Sequence, residues 1–276
     1  MRIVNLIENT PGMNGCAYEH GLSFYIETKK HKLLVDTGAS DKFLKNAQIL
    51  GIDLQKIDTV ILSHGHYDHA GGLPAFAKIN THAKIYMQKN AVGAYYHQYD
   101  TGDKYIGIDG RIAQLPQVVF VEENLFIDEE LEIFSNVKGR TMWPKGNQEL
   151  VEKRPKGNVQ DTFRHEQYLV LSQEDKKYVL SGCAHNGVIN ILDKYRELYH
   201  DEPDVMISGF HMMKKSDYTI EDEKMMQETA KKLLHTKTKF YTGHCTGEYP
   251  YGIMKKILGE QLQYCRSGQE IFLDMY

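Results

Sequence analysis

Four times in this chain a short apolar run with strand character ends in small residues and then reaches histidine: VILSH at His64, VLSGCAH at His185, MISGFH at His211 and FYTGH at His244. A fold that lays such strands side by side gathers their carboxyl ends along one rim, where small residues let backbone and ligand approach closely. Imidazole is a ligand of borderline metals such as zinc, iron and manganese. The pattern therefore constrains the chain toward a sheet-based fold with a shared rim, and a metal site there is the first functional hypothesis.

The densest part of that rim is SHGHYDHAGG at residues 63–72, with three histidines and an aspartate within six positions. If His64 and His66 flank one turn position, both imidazoles can point the same way while Gly65 permits a tight backbone. Asp68 and His69 follow a turn later and can reach a neighbouring position. The natural geometry is two adjacent metals.

Short or alternating apolar runs predict strands at 2–7, 22–27, 31–36, 57–62, 83–87 and 117–122, then a hairpin through 125–134. A helix is expected over 41–50, with Phe43, Leu44, Ala47 and Leu50 on one face and Gly51 at its stop. From residue 167 the pattern alternates: strands at 168–171, 178–180, 204–208, 239–241 and 270–273, and helices over 188–199, 221–234 and near 251–258. Such alternation argues for α/β layering.

Residues 137–164 show no convincing periodicity and carry Lys138, Arg140, Lys145, Lys153, Arg154 and Lys156 around the sole tryptophan, Trp143. A loop of that length reads either as a lid or substrate loop or as a solvated excursion. The stretch 94–105, with Tyr95, Tyr96, Tyr99 and Tyr105, poses the same choice, with core or subunit packing preferred.

At 276 residues, 41% hydrophobic and 25% charged, the chain fits a single globular domain over 1–276. A net charge of −4 provides no global attraction to nucleic acid or anionic membrane. The start has no apolar segment of signal-peptide length, and no later run approaches the roughly 18 residues needed to span a bilayer. A cytoplasmic protein is expected. Cys16, Cys183, Cys245 and Cys265 form no CxxC pair and suggest no disulfide framework.

SHGHYDHAGG resembles the HxHxDH signature of the metallo-β-lactamase superfamily, and HKLLVDTG at 31–38 is similar to the strand and Asp-Thr-Gly turn that precede it there. GLS at 21–23, GCAHNGVINIL at 182–192, GFH at 209–211 and GHCTG at 243–247 are similar to the 7,8-dihydropterin-6-methyl-4-(β-ribofuranosyl)-aminobenzene-5′-phosphate synthase-like subgroup. The resemblance implies an α/β fold, α+β by some schemes: a four-layer αββα sandwich with metals at one edge of its two sheets. It also implies two divalent ions, zinc first, with manganese or iron as alternatives. His64, His66 and His185 would hold one, and Asp68, His69 and His244 the other. Members often carry a bridging aspartate after a late strand, whereas here that strand continues into Ser181-Gly182-Cys183. Cys183, Glu166, Asp204 or solvent alone is left as the bridge.

Asp36 is expected to accept the second N–H of a ligating imidazole, or to stabilise its own turn. Asp68, where not fully engaged as a ligand, is a candidate proton acceptor. His211 is read as a catalytic-site residue that contacts substrate or supports a ligand. Cys183 and His20 are read first as structural. His31, His82, His97, His165, His200 and His235 carry no functional reading.

Function follows from the resemblance: a metal-dependent hydrolase that uses metal-bound hydroxide on a small phosphoester or phosphodiester, with the basic loop offering cations to a phosphate. The alternatives are a pterin-transferring synthase, in which the metals assist displacement of pyrophosphate, and a non-haem iron redox or metal-binding protein. An RNA-processing nuclease fits the superfamily but not the acidic balance. The expected partner is a phosphorylated small molecule, with nucleic acid and membrane disfavoured and a homo-oligomer left open.

Overall fold

The computed structural model describes residues 1–272. Two mixed sheets of seven strands dominate it. The first runs, edge to edge, Glu270–Ile271, Arg2–Ile7, Ser23–Glu27, Lys32–Val35, Thr59–Ile61, Lys84–Gln88, Val118–Val121. The second runs Leu262–Tyr264, Lys239–Thr242, Val205–Ile207, Lys176–Leu180, Gln167–Gln173, Leu131–Ser135, Leu125–Phe126.

Side-chain alternation builds the layers. In Lys32–Val35, Leu33 and Val35 join an apolar cluster with Leu169, Leu171, Leu180 and Ile207 of the second sheet. Leu34 points the other way, against Phe43, Ala47, Leu73 and Phe76 of the helices Lys42–Ile49 and Leu73–Ile79. Val170, Val179, Met206 and Phe240 likewise pack outward on Val188–Tyr199, Ile220–Leu234 and Glu248–Leu258. Helix, sheet, sheet, helix is thus the order of layers, and each buried Leu, Val or Phe contributes about 1.5–3 kcal/mol. No helix among the described residues is long and apolar enough to cross a membrane.

Parallel pairing positions the site. Lys176–Leu180, Val205–Ile207 and Lys239–Thr242 are parallel neighbours, as are Lys32–Val35 and Thr59–Ile61. Parallel strands need crossovers, which the long helices supply, so the carboxyl ends of all these strands open on the same rim. The turns bearing His64, His185, His211 and His244 lie there.

Several expectations change. Residues 137–164 are not a structureless loop: Leu150–Arg154 and Gly157–Gln160 form a hairpin in a third sheet with Tyr95–His97 and Lys104–Tyr105. Every residue of Gly157–Gln160 is exposed, so no apolar alternation marked it as a strand. The aromatic stretch forms the rest of this sheet, tied to the histidine motif where the Tyr67 N–H donates to the Ile106 carbonyl at 2.9 Å. Leu73–Ile79 and Leu262–Tyr264, too short for their period to register, were also not expected. Of the last expected strand, Glu270–Ile271 is formed, and residue 273 lies outside the described residues.

Candidate metal centre

Past Ile61 the backbone turns through Ser63, His64 and Gly65. A Cβ at Gly65 would lie 2.4 Å from the Ala91 carbonyl oxygen, so only glycine fits between the two imidazoles. His66 then starts the single helical turn Tyr67–Ala70, which carries Asp68 and His69 inward to buried positions. His185, His211 and His244 follow strand ends in the second sheet, and Asp36, Ala184, His211 and His244 all have left-handed backbones, at φ of 60°, 53°, 48° and 50°. Such conformations cost free energy in residues with a Cβ and gather at functional sites.

The six expected ligands fall into two trios: in one, His64 and His185 gather with Cys183 while His66 gathers with Asp161 and His165, and in the other the donor atoms of Asp68, His69 and His244 converge. In the first, ring centroids lie 4.7 Å apart for His64 and His66, 4.9 Å for His64 and His185, and 4.8 Å for His66 and His185. The Nε2 atoms of these three rings are buried without a hydrogen-bond partner among the described residues. In the second trio His69 Nε2 lies 3.2 Å from His244 Nε2, and Asp68 Oδ2 lies 3.6 Å and 3.3 Å from those two nitrogens.

Four side-chain oxygens set the tautomers. Ser63 Oγ donates to Asp36 Oδ2 at 2.7 Å and so accepts from His64 Nδ1 at 2.9 Å. His69 Nδ1 donates to Asp36 Oδ2 at 2.6 Å, His185 Nδ1 to Asn147 Oδ1 at 2.9 Å, and His244 Nδ1 to Asn9 Oδ1 at 2.7 Å. With the proton on Nδ1, each ring presents its Nε2 lone pair to the centre, the arrangement that metal-ligating histidines use. At 3.2 Å the Nε2 atoms of His69 and His244 must share a positive charge between them, a proton on His69 or a metal ion.

Electrostatics point the same way. Burial and the surrounding imidazoles hold His64 and His185 well below the ordinary histidine range, and burial with His165 nearby brings His66 down to about 3. Burial would lower His69 too, but Asp36 and Asp68 carry it up to about 9. Although burial works against ionisation of Asp68, His69, His244 and His20 keep its carboxyl well below the usual carboxylate range. Burial pushes the Cys183 thiol up, and neighbouring Cys245 adds to the effect.

His211 stands beside the trios, its ring 4.1 Å from His185 and its Nδ1 buried without a partner among the described residues. Of the bridge candidates, Glu166 is committed to the N–H groups of His185 and Asn186, at 2.6 and 2.9 Å, and to the Tyr168 hydroxyl. Asp204 precedes Val205–Ile207 and so lies at the far end of the sheet, accepting from the Lys177 N–H. Cys183 is within the cluster, its Sγ 3.2 Å from His69 Nε2. Exposed His20, read as structural, has Nε2 3.4 Å from Asp68 Oδ2.

Three of the six cations of the basic stretch are engaged with the protein itself through hydrogen bonds or ion pairs. Arg140 donates to the carbonyls of Gly139 and Thr162, Lys145 pairs with Asp222, and Arg154 with Glu152. Sequence reasoning missed Asn9, Ser63 and Asn147, which orient rings, and His165, whose Nδ1 accepts the Gly65 N–H at 3.0 Å while Nε2 faces Asp161. Only Ser63 carried a signal, through its place beside the first histidine.

The sequence profile of the Metallo-beta-lactamase superfamily matches residues 18–221. A relative from Methanocaldococcus jannaschii named 7,8-dihydropterin-6-methyl-4-(beta-D-ribofuranosyl)-aminobenzene-5'-phosphate synthase is 27% identical over 290 aligned positions, covering 98% of this chain and 96% of its own. An uncharacterized protein of the same organism is 28% identical over 219 positions, 77% of this chain and 80% of its own. A crystal structure described as a metal-dependent hydrolase of the beta-lactamase superfamily is 30% identical, with a TM-score of 0.82 and 99% of each chain covered.

Proposed function

The chain belongs to the metallo-beta-lactamase superfamily, and on that premise we propose that it is a metal-dependent hydrolase of a small phosphoester or phosphodiester. His64, His66 and His185 hold one divalent ion and Asp68, His69 and His244 a second, with zinc the first choice. The observation that carries this reading is the set of buried, unpartnered Nε2 atoms on His64, His66 and His185. Leaving a buried polar atom unpaired costs about 1–3 kcal/mol, and three such atoms on rings whose centroids lie 4.7–4.9 Å apart fit a cation.

A bound pair of divalent ions supplies water activated near neutral pH and polarises the bond under attack. The chain's own groups do the rest. Asp36, Ser63, Asn147 and Asn9 keep the four imidazoles in the tautomer that offers Nε2. Where Asp68 is not fully engaged as a ligand its carboxylate is assigned the role of proton acceptor, with exposed His20, its Nε2 3.4 Å from Asp68 Oδ2, as a route to solvent. His211, half-buried beside His185, is assigned contact with substrate. Lys104 over the Tyr67 ring and Lys215 over the Tyr99 ring, at 5.6 and 5.9 Å, join the basic stretch as candidate cations for a phosphate.

A pterin-transferring synthase is the second reading, supported by the relative of that name, which matches 98% of this chain. Elemental analysis of purified protein is expected to find about two ions per chain, and none would sink both readings. Turnover of bis-p-nitrophenyl phosphate should disappear in His64→Ala. Survival of that turnover would remove the proposed site, and pyrophosphate release from a dihydropterin donor without esterase activity would favour the synthase.

A further inference from the structure

The turn Ser181-Gly182-Cys183-Ala184-His185, after the strand Lys176–Leu180, is built to carry two donors into one place. Ala184 has a left-handed backbone, φ 53°, which turns the chain so that Cys183 and His185 on either side of it both enter the cluster. Gly182 abuts the first sheet: a Cβ there would lie 2.2 Å from Ser63 Oγ and 3.0 Å from His64 Nδ1. The turn is thus seated against the histidine motif at both Gly182 and His185.

Cys183 Sγ lies 3.2 Å from His69 Nε2 and is gathered with Asp68, His69 and His244, all donor atoms within 4.8 Å of one another. The same sulfur is gathered within the same limit with His64 and His185. Among the described residues no other side chain belongs to both groups. A donor shared by two ions has to stand between their ligand sets, and the two carboxylates that could compete, Glu166 and Asp204, are engaged elsewhere.

We propose that Cys183 is the ligand common to both ions, a thiolate in the place of a bridging carboxylate; this rests on the two-metal reading above. Its proton leaves to solvent when the ions bind. Each trio then has a fourth protein donor, and because thiolate is a soft ligand the site prefers zinc, cobalt or iron to manganese or magnesium.

The test is a cobalt(II) titration of chelator-stripped protein under reducing, oxygen-free conditions, with bound cobalt counted by equilibrium dialysis. A near-ultraviolet thiolate-to-cobalt charge-transfer band is expected in the wild type and in Cys245→Ser, and is lost in Cys183→Ser and Cys183→Asp. Cys183→Asp should still bind two ions, since a carboxylate restores the bridge. Two cobalt ions bound without the band, or a band that survives in Cys183→Ser, overturns the proposal and leaves the two-metal reading intact. A chain that binds no cobalt overturns both. If the Cys183 variants do not fold, the Cys245→Ser titration decides, because Cys16 and Cys265 belong to none of the donor groups among the described residues.

Discussion

His69 Nδ1 lies 2.6 Å from Asp36 Oδ2, with both side chains completely buried. The same carboxylate accepts the Ser63 N–H and hydroxyl, each at 2.7 Å, and Ser63 in turn accepts from His64. One aspartate therefore orients an imidazole in each trio. Asp36→Asn replaces an acceptor oxygen with a donor and is expected to weaken metal affinity about 10–100-fold, read by competition with a chelating dye. Unchanged affinity would mean that the carboxylate only stabilises its turn.

Acid should destabilise the metal-stripped protein through the first trio. His64, His66 and His185 are held neutral when folded, whereas in the unfolded chain they take up protons near pH 6.5. Their contribution is complete above that pH and is lost as pH falls toward the folded values, about 3 for His66. The slope reaches about 1.4 kcal/mol per pH unit for each proton of difference. Urea midpoints of the stripped protein should fall from pH 7 to pH 5, and flat or rising midpoints would contradict the buried, neutral cluster.

The legibility of this site follows the reach of each interaction. Spacing within HGHYDH places four donors on one turn of chain, and His185 and His244 were visible because each ends an apolar strand. Asn147 was not, since it meets His185 across 38 positions from a segment with no apolar period. Cys183 looked like a small core residue beside glycine; its place between two donor groups exists only once the sheets pack. The layers were readable from alternation such as Leu33, Leu34 and Val35, whereas the third sheet, with Gly157–Gln160 exposed throughout, left no such trace.

His31 responds to pH in the direction opposite to the His64, His66 and His185 trio. His31 donates to or pairs with Asp58 at 2.9 Å and Asp128 at 2.6 Å, linking the first sheet to the hairpin turn of the second. Burial lowers its affinity for protons, but the two aspartates outweigh that and leave it raised. Its stabilisation is complete below the unfolded value near 6.5 and fades as pH rises through the raised folded value. His31→Gln should cost about 1 kcal/mol at pH 6 and much less at pH 9, measured by denaturant unfolding; an equal cost at both would show that packing, not charge, matters.

Gly182→Ala tests the seat of the second-sheet turn against the histidine motif. The added methyl would fall 2.2 Å from Ser63 Oγ and 3.0 Å from His64 Nδ1, so the serine hydroxyl must leave the position that joins Asp36 to His64. Nothing at this position requires a left-handed backbone, because Gly182 is absent from the positive-φ residues. The strain is therefore local to Ser63 and His64, and overpacking of this kind costs about 1–3 kcal/mol. The variant should fold with a reduced denaturation midpoint while losing metal from the His64 trio and at least about 10-fold in turnover. Wild-type metal content and turnover in a folded Gly182→Ala protein would mean that His64 keeps its ring orientation without the serine, and that the Asp36 to Ser63 to His64 relay does not hold the ligand.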